Sequence, residues 1–164
     1  MTYLIDPLAG VDLSFLGEAF ADRAILKVLH AGDNDIRILR RDYAFTFRNI
    51  FDTYQAALLL GSTRLALSTL LSQFLGVTLV KKKKLQRSKW EIRPLTEAQI
   101  AYAVADTMYL EPLYRRLAEQ IRSRNLDAEA RRMFRQTSRV EWRERPFRPL
   151  GYLRIPGAAL LTGE

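Results

Sequence analysis

Apolar positions along the chain switch between short runs and helical spacing. Tyr3-Leu4-Ile5 is an apolar run stopped by Asp6-Pro7, which predicts an edge strand followed by a turn. Leu13, Phe15, Leu16, Ala19 and Phe20 recur at helical intervals and predict a helix over about 12–22. Ile25 to Leu29 reads as a buried strand ending at His30-Ala31-Gly32, where Gly32 permits a tight turn. Asp33 or Asn34 then caps a helix whose apolar face is Ile36, Ile38 and Leu39. Asn49-Ile50-Phe51 predicts another short strand, and Asp52 or Thr53 caps an Ala- and Leu-rich helix that stops at Gly61. A further helix over about 65–74 ends at Gly76. Lys81 to Trp90 is a basic connector without a period, and Thr96 with Gln99 forms a capping box that opens a long helix to about Ile121. After Asn125 an Arg-rich helix runs to about Gln136, and from Thr137 onward no period is sustained. Strands alternating with helices predict an α/β fold.

Composition narrows the chemistry. With no cysteine and one histidine among 164 residues, thiolate metal sites, disulfides and a multi-histidine centre are excluded, so carboxylates would have to hold any metal. That donor set favours magnesium or manganese. The longest apolar runs, such as Ala56 to Leu60, fall far short of a membrane span, and no membrane partner is expected. The N-terminus has neither a basic region nor a signal-type apolar stretch, which makes a cytoplasmic location the default expectation.

The net charge of +8 is unevenly placed: −2 over residues 1–60, +4 over 61–114 and +6 over 115–164. Segregated positive charge suits a polyanion, of which nucleic acid is the commonest, while a merely solvated basic surface fits composition equally well.

Three residues stand out by position. Asp35 follows a predicted buried strand at the entry to a helix, where open α/β sheets place ligand-binding groups. Tyr102 and Asp106 are four apart and share one helix face. A carboxylate beside a phenol could hold a metal ion and orient its water. Taken singly, a cap, a core aromatic and a solvated acid explain them as well.

The order of the pieces adds to this. His30-Ala31-x-x-x-Asp35 follows a strand, then come Phe51-Asp52-Thr53, Lys84-x-Gln86-x-Ser88-x-Trp90, Arg93-Pro94-Leu95 and Tyr102-Ala103-x-x-Asp106. This succession, over roughly residues 2–122, resembles the ribonuclease D family of DEDD-type 3′–5′ exonucleases with a tyrosine in the last motif. The resemblance implies a ribonuclease H-like domain, a mixed sheet flanked by helices, over 1–122, with an Arg-rich helix and irregular tail over 123–164. It implies a site in which four carboxylates bind two magnesium or manganese ions. Asp35 would be the acid of the second motif and Asp106 that of the third, with Tyr102 orienting the attacking water. The expected substrate is RNA or single-stranded DNA, RNA ahead of DNA, hydrolysed from its 3′ end. Lys81, Lys82, Lys83, Lys84, Arg87 and Lys89 would contact phosphates, or form a solvated surface. Lys89 stands where the family more usually has an acid.

One motif departs. The family's first Asp-x-Glu should precede Tyr3, and the sole Asp-x-Glu, Asp127-Ala128-Glu129, lies on the wrong side of the domain order. Two of four carboxylates and the first two strands are therefore expected to be absent, giving an N-terminally incomplete domain, inactive or impaired by itself. The alternatives are a non-catalytic pseudo-exonuclease that binds nucleic acid or acts as a scaffold, and a split or homo-oligomeric enzyme in which a complementing chain supplies the strands. A start upstream of Met1 would restore the enzyme. The segment around Gly151 to Leu160 resembles the family's joint to a helical nucleic-acid-binding domain.

Overall fold

The computed structural model describes residues 2–79 and 83–144, Lys83 by its backbone alone. A 3-10 turn, Pro7–Ala9, leads into helix α1, Ser14–Ala21. Strand β1, Lys27–Leu29, precedes α2, Asp33–Tyr43, and strand β2, Ile50–Asp52, passes directly into α3, Thr53–Leu59. The remaining helices are α4, Leu67–Leu75; α5, Lys83–Gln86; α6, Glu97–Met108; α7, Leu110–Ser123; and α8, Asp127–Ser138. The two strands pair in parallel with Lys27 opposite Ile50, Val28 opposite Phe51 and Leu29 opposite Asp52. The α/β class read from the pattern is the one observed, rich in helix around a small parallel sheet.

Helix α7 is the spine of the core. Leu113, Leu117 and Ile121 repeat every four residues and so face one side. They are buried together with Ala56 and Ala57 of α3 and Leu70 and Leu71 of α4. Burying each leucine contributes about 1.5–3 kcal/mol. The alanines let α3 approach closely. From the other side α8 adds Ala130 and Phe134, and the Phe51 ring lies 4.7 Å from Phe134 and 4.8 Å from Tyr114. Arg40 of α2 ties down the end of α8 by donating to the carbonyls of Ser138 and Val140.

Several local expectations change. Tyr3-Leu4-Ile5 is not a strand: all three residues are exposed and pair with no strand among the described residues. An apolar run becomes a strand only beside a partner. Gly32, not Asp33 or Asn34, is the N-cap of α2, and Asp33 instead pairs with Arg37 one turn on. The basic connector contains the short helix α5. The long helix expected to reach Ile121 is two, α6 and α7, joined at Tyr109. Pro112 explains the break, because in a continuous helix its ring would clash with the Met108 carbonyl and offer it no N–H. In the first turn of a new helix that missing donor costs nothing.

A candidate active-site cleft

The C-terminal end of β1 opens into a cleft of about 730 Å³. One wall comes from β1 and α2, with Val28, Leu29, His30 and Asp35. The opposite wall is a single face of α6, in which Ala98, Ala101, Tyr102, Ala105 and Asp106 follow helical spacing. Three alanines keep that wall low and leave the phenol and the carboxylate as its reactive groups. Asp35, Tyr102 and Asp106, up to 71 residues apart, thus line one cavity.

The turn that delivers Asp35 is held by a buried carboxylate. Asp52 is 1% exposed and accepts backbone N–H bonds from Ala31 at 3.0 Å and Gly32 at 2.9 Å. The same side chain caps α3 by accepting from Tyr54 and Gln55. Next to it, the Thr53 hydroxyl donates to the Leu29 carbonyl at 3.0 Å. His30 Nδ1, also 3.0 Å from Thr53 Oγ1, therefore donates to it, which fixes the imidazole tautomer at that nitrogen. A Cβ at Gly32 would lie 2.7 Å from the Leu29 side chain, so this turn admits no larger residue without rearrangement.

The walls of the cleft strip water from the Asp35 carboxyl and push it above the usual carboxylate range, and the like charges of Asp33 and Asp52 add to the effect. The phenol of Tyr102 is raised in turn, first by desolvation, then by the charge of Asp106 and by the hydrogen bond it donates to that carboxylate. It stays a protonated donor at neutral pH. The Trp90 ring lies 6.0 Å from that of Tyr102 and walls it from outside.

The basic residues fall beside the cleft. Leu85 and Gln86 of α5 line it, and their neighbours Lys84 and Arg87 are exposed, as is Lys89. Lys81 and Lys82 lie outside the described residues, as does the side chain of Lys83. The loop after α5 is fixed by Gln99, whose side-chain amide donates to Ser88 Oγ and the Lys89 carbonyl while its oxygen accepts from Thr96 N–H. Spacing revealed the capping box but not this second use of Gln99, and it revealed Asp52 as a cap but not as the clamp on the Asp35 turn. Both extra roles need partners distant in sequence.

The donors fall short of a two-ion site. Among the described residues no three of His, Cys, Asp or Glu come together as a metal-holding group. Asp127 and Glu129 do not help: Asp127 borders a groove between α7 and α8, and Glu129 pairs with Arg132.

The cleft thus lies at a strand end of an α/β frame and carries two acids and a phenol. Residues 1–122 match the family model described as 3′–5′ exonuclease, and the chain belongs to that family. Within it the type is that of ribonuclease D and RRP6. The chain is 40% identical over 116 residues to exosome complex component 10 of Rattus norvegicus, covering 71% of this chain and 13% of the relative. It is 43% identical over 109 residues to ribonuclease D of Desulfotalea psychrophila, covering 66% and 29%. Escherichia coli ribonuclease D superposes with a TM-score of 0.71 at 29% identity, over 78% of this chain and 34% of that one. The chain therefore spans under a third of the length of these two curated relatives. The ribonuclease H-like exonuclease fold implied by the motif order is the fold of these neighbours.

Proposed function

We propose that the cleft receives the 3′ end of an RNA strand and that Asp35 and Asp106 are its carboxylate donors to magnesium or manganese. Tyr102 holds the attacking water, and Lys84, Arg87 and Lys89, with the lysines before them, meet the phosphates. The observation that supports this most is convergence: the acids of the second and third motifs and the tyrosine of the third line one cavity. RNA is favoured because the E. coli neighbour is described as an exoribonuclease involved in structured RNA processing.

A divalent ion would supply charge stabilisation to the scissile phosphate. Two described carboxylates do not fit a pair of ions, so no step through such a pair is assigned to this chain, and by itself it is impaired. The chain's own contribution is orientation: a Tyr102 proton committed to Asp106 leaves the phenol oxygen to accept a hydrogen bond from water.

Release of mononucleotides from a 3′-labelled oligoribonucleotide in manganese tests this, with expected turnover slow or nil. Robust release lost in Asp106→Ala overturns the impairment while supporting the site. Robust release that survives Asp106→Ala overturns the site itself. Manganese binding, read by electron paramagnetic resonance, should weaken when both Asp35 and Asp106 become alanine.

The sheet favours a second reading alongside the first. A two-stranded sheet is marginal alone, and among the described residues β1 pairs only with β2. A second copy or a complementing chain that pairs with β1 would complete the sheet and add donors. Light scattering showing a strict monomer counts against the second copy.

A further inference from the structure

A second concavity, about 590 Å³, lies between α7 and α8 beside β2. Its floor is apolar, with Phe51, Ile121, Ala130 and Phe134 buried and Tyr114 half-buried. Its rim carries three exposed arginines, Arg122 from α7 and Arg131 and Arg135 from α8, against one acid, Asp127. Among the described residues none of the three guanidinium groups is in an ion pair, although Arg115, Arg116 and Arg132 nearby on the same helices are each paired with a glutamate. Arg135 Nε donates to the backbone carbonyl of Arg131, which lays the Arg135 side chain back along α8. The cleft differs: its carboxylates are Asp35 and Asp106, and among the described residues no lysine or arginine lines it.

We infer that the α7–α8 groove is a second contact for the RNA strand, holding backbone phosphates upstream of the 3′ end. This rests on the exonuclease reading for the polymer bound, but not on the cleft's chemistry. Arginines on an apolar, aromatic floor suit a phosphodiester backbone, with planar donors for phosphate and ring faces for a base. Helix α7 links the two places, because Leu110 borders the cleft and Arg122 the groove. The floor residue Tyr114 is four residues from Leu110, but the rim residue Arg122 is twelve, roughly 18 Å along the helix at about 1.5 Å each. That is about five stacked nucleotides at ~3.4 Å per step. A stacked trinucleotide seated in the cleft is too short to reach Arg122, and a fifteen-nucleotide strand is long enough.

The test uses 5′-fluorescein oligoribonucleotides of three and fifteen nucleotides, with binding read by anisotropy in EDTA. Arg131→Ala/Arg135→Ala is compared with Arg115→Ala/Arg116→Ala, which removes equal charge outside the groove. The groove pair should bind the fifteen-mer about tenfold more weakly, and its slope of log affinity against log salt should fall by about 1.4, at ~0.7 for each single-strand phosphate contact. The control pair should match the wild type, and neither pair should alter trinucleotide binding. An unchanged fifteen-mer affinity, or equal losses in the two pairs, overturns the inference. So does polyglutamate of the same length competing as well as RNA, which would give the groove to an acidic protein. Loss of the exonuclease reading would appear elsewhere, as manganese binding unchanged when Asp35 and Asp106 become alanine or as release that survives Asp106→Ala.

Discussion

Asp52 is the residue on which the cleft's entry depends. Four backbone N–H groups end on one carboxylate that is almost fully enclosed. Its replacement by alanine orphans donors in both the β1–α2 turn and the first turn of α3. Asp52→Ala should cost about 3–5 kcal/mol, the range for breaking a buried charged network, measurable by urea unfolding. Asp35 behaves in the other direction. Its folded-state carboxyl is raised, so the folded chain keeps that proton to higher pH than the unfolded one, and ionisation opposes folding. The penalty is absent below the ordinary value of 3.8 and grows as pH rises through the raised one. Asp35 is itself exposed, so solvent screens the effect: Asp35→Asn should melt only slightly higher than the wild type at pH 7, with the gap closing near pH 3, and a gap independent of pH would contradict this. That Asp35, Tyr102 and Asp106 are candidates for one site was legible in the motif order. Their shared cavity was not, since spacing within a helix does not say what stands opposite.

Element boundaries were legible where local chemistry sets them. Asp52 caps α3, Gly76 closes α4 with a φ of 67°, and the Thr96–Gln99 box opens α6. They were misread where periodicity outlasts the element: apolar spacing runs on through Tyr109, and only the steric demand of Pro112 divides α6 from α7. Tyr3-Leu4-Ile5 failed for the opposite reason, a local pattern without a neighbour. Two contacts between elements can be checked directly. Gln99 is buried and joins α6 to the basic loop, so Gln99→Ala should destabilise by about 1–3 kcal/mol in urea unfolding, the cost of orphaned polar partners. Arg93 makes a bidentate pair with Asp6 at 2.5 and 2.6 Å, holding the N-terminal 3-10 turn to the loop before α6. The pair is partly exposed, so solvent screens it and it adds little to stability. Arg93→Ala should therefore leave the melting temperature nearly unchanged while speeding proteolytic cleavage within residues 2–12.

At the scale of the whole molecule, charge and shape divide the labour. The acidic front of the sequence supplies Asp35 and Asp52, and the basic rear supplies the arginines of the groove. Composition showed this asymmetry but could not place it, because position in sequence is not position in space. The fold gives two concavities bordered by the two ends of α7, acids inside the cleft with Lys84, Arg87 and Lys89 beside it, and arginines round the groove. A polyanion approaching these basic groups is attracted before it makes contact. Encounter is then ordered in time: the strand is caught by its backbone on the basic side, and its end searches for the cleft from a tethered position. The association rate should fall steeply with ionic strength while the intrinsic step at the 3′ end does not. Stopped-flow binding set against single-turnover cleavage in a completed enzyme would separate the two.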